Sequence, residues 1–115
     1  MIVQPAGEGR GRCRIFPDES HTNLGGMLHG GAILTFIDMA LFAGGRVAGA
    51  DTKRAVTLDC ATQFLSPGRP GRPLDAEVEL LRETGRLAFF RGLVLQGGET
   101  VASFTGTLRK SSPKS

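Results

Sequence analysis

An aspartate stands in the middle of one of the most apolar stretches of this 115-residue chain. In AILTFIDMALFA, residues 32–43, ten of twelve side chains are apolar and Asp38 carries the only charge. A carboxylate taken out of water without partners is costly. It must find donors, or serve in a cleft as a base or nucleophile. The nearest cation along the segment is Arg46, eight positions on, about 12 Å away at helical rise. That is too far for an i,i+4 ion pair. The plain alternative is an aspartate that caps a neighbouring loop or pairs with an arginine from elsewhere.

The apolar run is preceded by His29-Gly30-Gly31. The first N–H groups of a helix have no partner within it and carry a partial positive charge. Glycine there lets a substrate oxygen approach the backbone, as in the oxyanion hole of acyl transfer. A tight turn is the alternative reading. Spacing links the two features. Gly30 and Asp38 are eight residues apart, about 12 Å along one helix, so one carbonyl cannot touch both in one chain. If both act on one substrate they come from two copies, with antiparallel helices about a twofold axis. His21, His29 and Cys60 do not have the spacing of a metal site, and no metal is expected.

These residues need positioning elements. Residues 1–9 read as loose, and 10–16 alternate like a strand. Residues 32–43 are apolar all round at helical spacing, which predicts a helix needing cover on every side. Gly44, Gly45 and Gly49 weaken or end it, or else Gly44 and Gly45 allow close contact with a neighbour. The period then changes to two. Strands are predicted over 55–65, 74–82, 87–96 and 100–110, with turns at 83–86 and 97–99. The proline-rich 66–73 is a loop. Alternation places Thr57 and Asp59 on one strand face, which makes Asp59 a second candidate acid. One helix among antiparallel strands is an α+β domain.

Composition narrows the class. With 40% hydrophobic residues, no Trp and no Tyr, the chain builds one core from Leu, Val, Ala and Phe. Cys13 and Cys60 form neither a CxxC motif nor a disulfide framework, which suits a reduced, cytoplasmic protein. Neither a signal peptide nor a run of about 18 apolar residues is present, so no membrane partner is expected. The net charge of +3 favours an anionic partner. The arginines are scattered and stacking Tyr and Trp are absent, which argues against nucleic acid.

The segment HTNLGGMLHGG, with Asp38 nine residues after His29 and Asn23 six before it, resembles the hotdog-fold acyl-CoA thioesterases. The likeness is to the phenylacetate-degradation (PaaI-like) branch of the 4-hydroxybenzoyl-CoA thioesterase superfamily. It extends over residues 9–110, through AVTLDCATQFLSPGRPG and GGETVASFTGTLRK. It implies an α+β hotdog fold, a curled antiparallel sheet of about five strands round one long buried helix. The chain is then a single domain over 1–115, with 1–8 and 111–115 as loose ends.

By the same resemblance Asp38 is the catalytic acid, acting as nucleophile or as general base. The Gly30 N–H polarises the thioester carbonyl. Asn23 and His29 line the site or position water, Thr57 helps hold that water, and Gly31 borders the substrate. Arg69, Arg72 and Arg109 are candidates for the CoA phosphates. No cofactor is implied. The partners are an acyl-CoA and further copies of the chain, as a homodimer and a dimer of dimers. Relatives often carry a helical segment before the first strand, so the resemblance implies that one wall of the acyl pocket is missing or supplied by another subunit. Two rivals share the fold: a non-catalytic acyl-CoA sensor or carrier, and a hydratase or dehydratase.

Overall fold

The computed structural model describes residues 1–111. Of the expected loose tail 111–115, only Ser111 falls within them, and its N–H donates to the Arg54 carbonyl at 3.0 Å. The elements are β1 (Ile2–Pro5), β2 (Arg10–Ile15), a single 3-10 turn (Glu19–His21), α1 (Gly30–Val47), β3 (Ala55–Phe64), β4 (Leu74–Glu83), β5 (Leu87–Gln96) and β6 (Glu99–Lys110). The strands form one antiparallel sheet in the order β1-β2-β4-β5-β6-β3. This is the hotdog arrangement, with six strands where about five were expected. The sixth is β1, in a segment expected to be loose. Its residues have little strand signal, but the free edge of β2 supplies partners, with Val3 opposite Cys13.

β4, β5 and β6 follow one another as hairpins. The β5–β6 turn is Gly97-Gly98, both at positive φ (59° and 84°), the backbone that a two-residue hairpin loop requires. One face of the sheet carries Cys13, Val78, Phe90, Phe104 and Leu108, which bury Ile33, Phe36, Ile37, Ala40 and Leu41 of α1. The other face carries crossed ion pairs, Arg14–Asp75 and Arg12–Glu77 at 2.7 Å and Arg91–Glu79 at 2.8 Å.

The helix does not stop at Gly44. It runs on to Val47, and both glycines are buried. A Cβ on Gly44 would lie 2.9 Å from Val78 Cγ2, and one on Gly45 would lie 2.8 Å from Phe90 Cζ. A Cβ on Gly11 of β2 would run into the Gly44 carbonyl. The glycines are therefore contact positions, where helix and sheet backbones meet without side chains between them. The sheet covers only one side of α1. Leu34 and Met39 on the other side remain 41% and 45% exposed, and Asp38 lies on that same open face. An arc of α1 that carries Leu34, Thr35, Asp38 and Met39 is thus left uncovered by its own chain.

Candidate active site

At the start of α1, His29 occupies the N-cap with extended backbone and makes no capping hydrogen bond through its side chain. Its carbonyl accepts the Ala32 and Ile33 N–H groups at 3.1 and 3.2 Å, and its own N–H donates to His21. The Gly30 and Gly31 N–H groups take no partner among the described residues. They sit at the positive end of an 18-residue helix, open to solvent. These are two donors free to receive an oxyanion.

Nothing in the chain's own packing requires glycine at these two positions. Neither has positive φ. A Cβ on Gly31 would meet nothing within 4 Å, and one on Gly30 would sit 3.4 Å from Phe64 Cζ, an ordinary contact. This contrasts with Gly11, Gly44 and Gly45, where the fold leaves no room. Gly30 and Gly31 are the first two residues of α1, and the fold of a single copy leaves room for a side chain at both.

Two turns along α1, Asp38 Oδ1 accepts the Thr57 hydroxyl of β3 at 2.5 Å. Thr57 reaches the helix because of an irregularity in β3. The register with β6 shifts between Thr57 and Asp59, so that Thr57 stands opposite Leu108 and Asp59 opposite Thr107. Leu58 is the extra residue of a β-bulge. Directly opposed residues share a face, so Thr57 joins buried Leu108 on the helix side while Asp59 points to the other face. The expectation that Thr57 and Asp59 share a face is corrected, and Asp59 is removed as a second acid. Strict alternation cannot register a bulge, which changes the phase by one residue.

Asn23 does not reach toward Asp38 within the chain. Its Oδ1 accepts the Gly25 and Met27 N–H groups at 2.9 and 3.2 Å, which folds the loop leading to His29. Both His29 and Asn23 are exposed. Gly30 and Asp38 lie on the same helix at the separation that their spacing dictates, so the structure does not bring them onto one carbonyl within a single copy. Arg69 and Arg72 share the loop after β3. Arg109 lies near the far end of β6, ten residues beyond Glu99, about 34 Å along the strand. It stands at the Thr57 end of the sheet and cannot share an anion with Arg69 and Arg72 in one copy.

A cavity of about 520 Å³ opens beside the first turns of α1, lined by Ile15, Phe16, Leu28, Ile33, Phe36 and Met39 among others. Met1, just before β1, also borders it. A larger concavity, about 720 Å³, lies on the opposite face of the sheet. Its arginines Arg10, Arg12 and Arg91 pair with Glu79, Glu77 and Glu79, and neither Asp38 nor Gly30 lines it. The smaller cavity is the one that opens beside the helix start, and its lining is mostly apolar. Sequence reasoning missed Phe64, whose ring lies over Gly30, and the Leu58 bulge. The only sequence signal for Phe64 was its place at the apolar exit of a strand.

A curled sheet round a central helix, with free amides at the helix start and a Thr-held carboxylate on its open face, defines a hotdog-fold protein. Residues 25–103 match the family described as the thioesterase superfamily, and the chain belongs to it. It is 32% identical over 93 residues to acyl-coenzyme A thioesterase 13 of Homo sapiens and of Pongo abelii, a stretch covering 77% of this chain and 63% of each relative. The chain thus spans a little under two thirds of those relatives. Among solved structures it is similar to the TT0310 protein of Thermus thermophilus (27% identity, TM-score 0.80, 96% of this chain and 91% of that one). It is also similar to a point mutant of the phenylacetic acid degradation protein PaaI from the same organism (26% identity, TM-score 0.80, 96% and 92%).

Proposed function

We propose that this protein hydrolyses the thioester of an acyl-CoA, at sites shared between two copies of the chain. The observation that carries the reading is the Thr57–Asp38 hydrogen bond on a helix face that the chain leaves open. A fixed carboxylate there serves no ion pair, since no cation lies within ion-pairing distance of Asp38 among the described residues. The family and the acyl-CoA thioesterase relatives support the same chemistry.

The open face also argues for the second copy. β3 is an edge strand, and Val56, Leu58, Phe64 and the adjacent Leu65 are each at least half exposed. A ten-residue edge with this much apolar surface is a template for pairing. If two β3 edges and two α1 faces meet about a twofold axis, Asp38 of one copy can approach Gly30 of the other. The thioester carbonyl then accepts from the Gly30 N–H. Asp38 takes a proton from water as the water oxygen attacks the carbonyl carbon and gives it to the departing sulfur, or attacks that carbon itself to form an acyl anhydride that water then hydrolyses, supplying the proton for the thiolate. The C–S bond breaks and CoA leaves as the thiol. The acyl group, a small aromatic or a medium aliphatic chain, occupies the 520 Å³ cavity.

The test is release of CoA thiol from a panel of aryl and aliphatic acyl-CoA esters, with wild type and Asp38→Asn, alongside the mass in solution. Wild-type turnover that Asp38→Asn lowers about a thousandfold, within the range for loss of a general base, with a dimer in both, supports the reading. Binding without hydrolysis would instead favour a sensor or carrier. Hydration of a crotonyl thioester would favour a hydratase.

A further inference from the structure

The edge strand β3 makes two contacts with α1 that bear on the site. Near its start Thr57 holds Asp38. At its end the Phe64 ring stands over Gly30, its Cζ 3.4 Å from where a Cβ would lie. Thr57 and Phe64 are seven residues apart, and in a regular strand that spacing puts two side chains on opposite faces. The Leu58 bulge removes the mismatch. Counted along β6, Thr57 stands opposite Leu108 and Phe64 opposite Ala102, six rungs apart. Both therefore face the helix. The rung midway between them is Thr105, whose partner in β3 is Ala61.

Two identical strands that pair antiparallel about a twofold axis perpendicular to their sheet place one residue opposite its own copy. With Ala61 on that axis, Phe64 of one copy stands opposite Thr57 of the other. Gly30 of the first comes with its Phe64, and Asp38 of the second comes with its Thr57. The amide and the carboxylate then meet at one place. A slip of one rung destroys this, since centring on Cys60 or Thr62 sets Phe64 against the partner's Ala55 or Cys60. Centring on Asp59 sets a carboxylate against its own copy, a like-charge pair that weakens strand pairing. In the Ala61 register Asp59 meets the partner's Gln63 instead, an amide able to donate to it.

We propose that two copies of the chain join through β3 in the register centred on Ala61, so that the partner's Phe64 stands over Thr57 and walls the site that Asp38 and the partner's Gly30 share. The proposal rests on the reading of the site as one shared by two copies. It accounts for Phe64, 50% exposed in a single copy, and it gives the Leu58 bulge a role. Without that extra residue Thr57 and Phe64 lie on opposite faces, and no symmetric pairing opposes them.

The experiment is disulfide trapping in a Cys60→Ser background, with the buried Cys13 left in place. One variant carries Ala61→Cys, and a second carries Thr57→Cys with Phe64→Cys. Each is mildly oxidised and run on a non-reducing gel, with a thermal melt and the mass in solution. Directly opposed residues have Cα atoms about 4.5–5.5 Å apart, within reach of a disulfide. Cys60 and its own copy stand two rungs out of step, about 7 Å along and 5 Å across. That is about 8 Å between Cα atoms, beyond the roughly 7 Å that a disulfide spans. The expected result is a covalent dimer from both variants, while wild type and the single Thr57→Cys and Phe64→Cys variants run as monomers. Linkage in either variant supports the register, so Ala61→Cys decides the matter if the double variant fails to fold. Wild-type Cys60 linking to itself, or neither variant linking in a protein whose solution mass is that of a dimer, would overturn the register. A monomer in solution would overturn the pairing. Trapping needs no turnover, so a chain that links as expected yet releases no CoA thiol would keep the register and defeat the thioesterase reading.

Discussion

The glycine pair at the start of α1 gives a prediction in which stability and activity move in opposite directions. Alanine at position 31 adds a Cβ that meets nothing within 4 Å, at a residue whose φ is not positive. The folded chain therefore gives up nothing, and the unfolded chain loses conformational freedom. Glycine-to-alanine replacement at a compatible site stabilises by about 0.4–1 kcal/mol, which for a domain of this size raises Tm by about 3 °C. Gly30→Ala gains less, because its Cβ would sit 3.4 Å from Phe64 Cζ. Neither replacement removes the N–H. Each puts a methyl group where a substrate oxygen must approach it. Loss of an oxyanion donor is worth about 3 kcal/mol, and crowding that weakens it by half lowers kcat/KM about tenfold. The assays are a thermal melt and CoA-thiol release on the same preparations. Variants that melt higher and turn over acyl-CoA at the wild-type rate would refute the argument that the glycines serve substrate. Variants that melt lower would show that the fold, or a second copy packed on it, needs the bare backbone.

Thr57→Val removes the only side-chain donor on the Asp38 carboxylate among the described residues; a carboxylate no longer held in place should lower kcat about tenfold or more, and because the pair is exposed Tm should change little. Gly92→Ala drives a Cβ into the Glu77 carbonyl and the Phe104 ring, and should lower unfolding stability by about 3 kcal/mol, read as a fall in the urea midpoint. Glu83 accepts the Asp51 N–H and the Lys110 ammonium, each at 2.9 Å, and these bonds hold its carboxyl below the usual range. Its contribution is therefore complete above the ordinary glutamate pKa and lost as pH falls through the lowered one. Urea midpoints across the acid range should show Glu83→Gln less stable at neutral pH and less sensitive to acid than wild type. Burial pushes the Cys13 thiol up to about 11, so alkylation of the native protein at mildly alkaline pH should leave Cys13 unmodified until the chain is unfolded; early labelling, located by peptide mass, would contradict its burial.

Much of the architecture was legible because periodicity reports burial. The alternation in LDAEVELLR and the apolar run LAFFRGLVLQ placed β4 and β5 within a residue of their observed bounds, and the Gly-Gly pair marked the hairpin, whose turn needs positive φ. The helix was legible in type but not in length. Gly44 and Gly45 have poor helix propensity, and only the sheet packed against them explains why the helix continues. β1 was illegible because its few residues owe their strand conformation to a partner edge.

For the candidate site, sequence by itself determined the two chemical groups and their separation. Helical rise fixes how far Asp38 lies from the Gly30 amide, whatever surrounds them. It could not determine which neighbours those groups meet, because that depends on contacts between residues far apart in the chain. Tertiary structure decided that Thr57 faces Asp38 while Asp59 does not, through one extra residue in β3. It also decided that Arg109 stands beside β3 at the Thr57 end of the sheet, opposite Val56. The physical reason is that a bulge and a register are properties of pairs of segments, and no single segment encodes them alone.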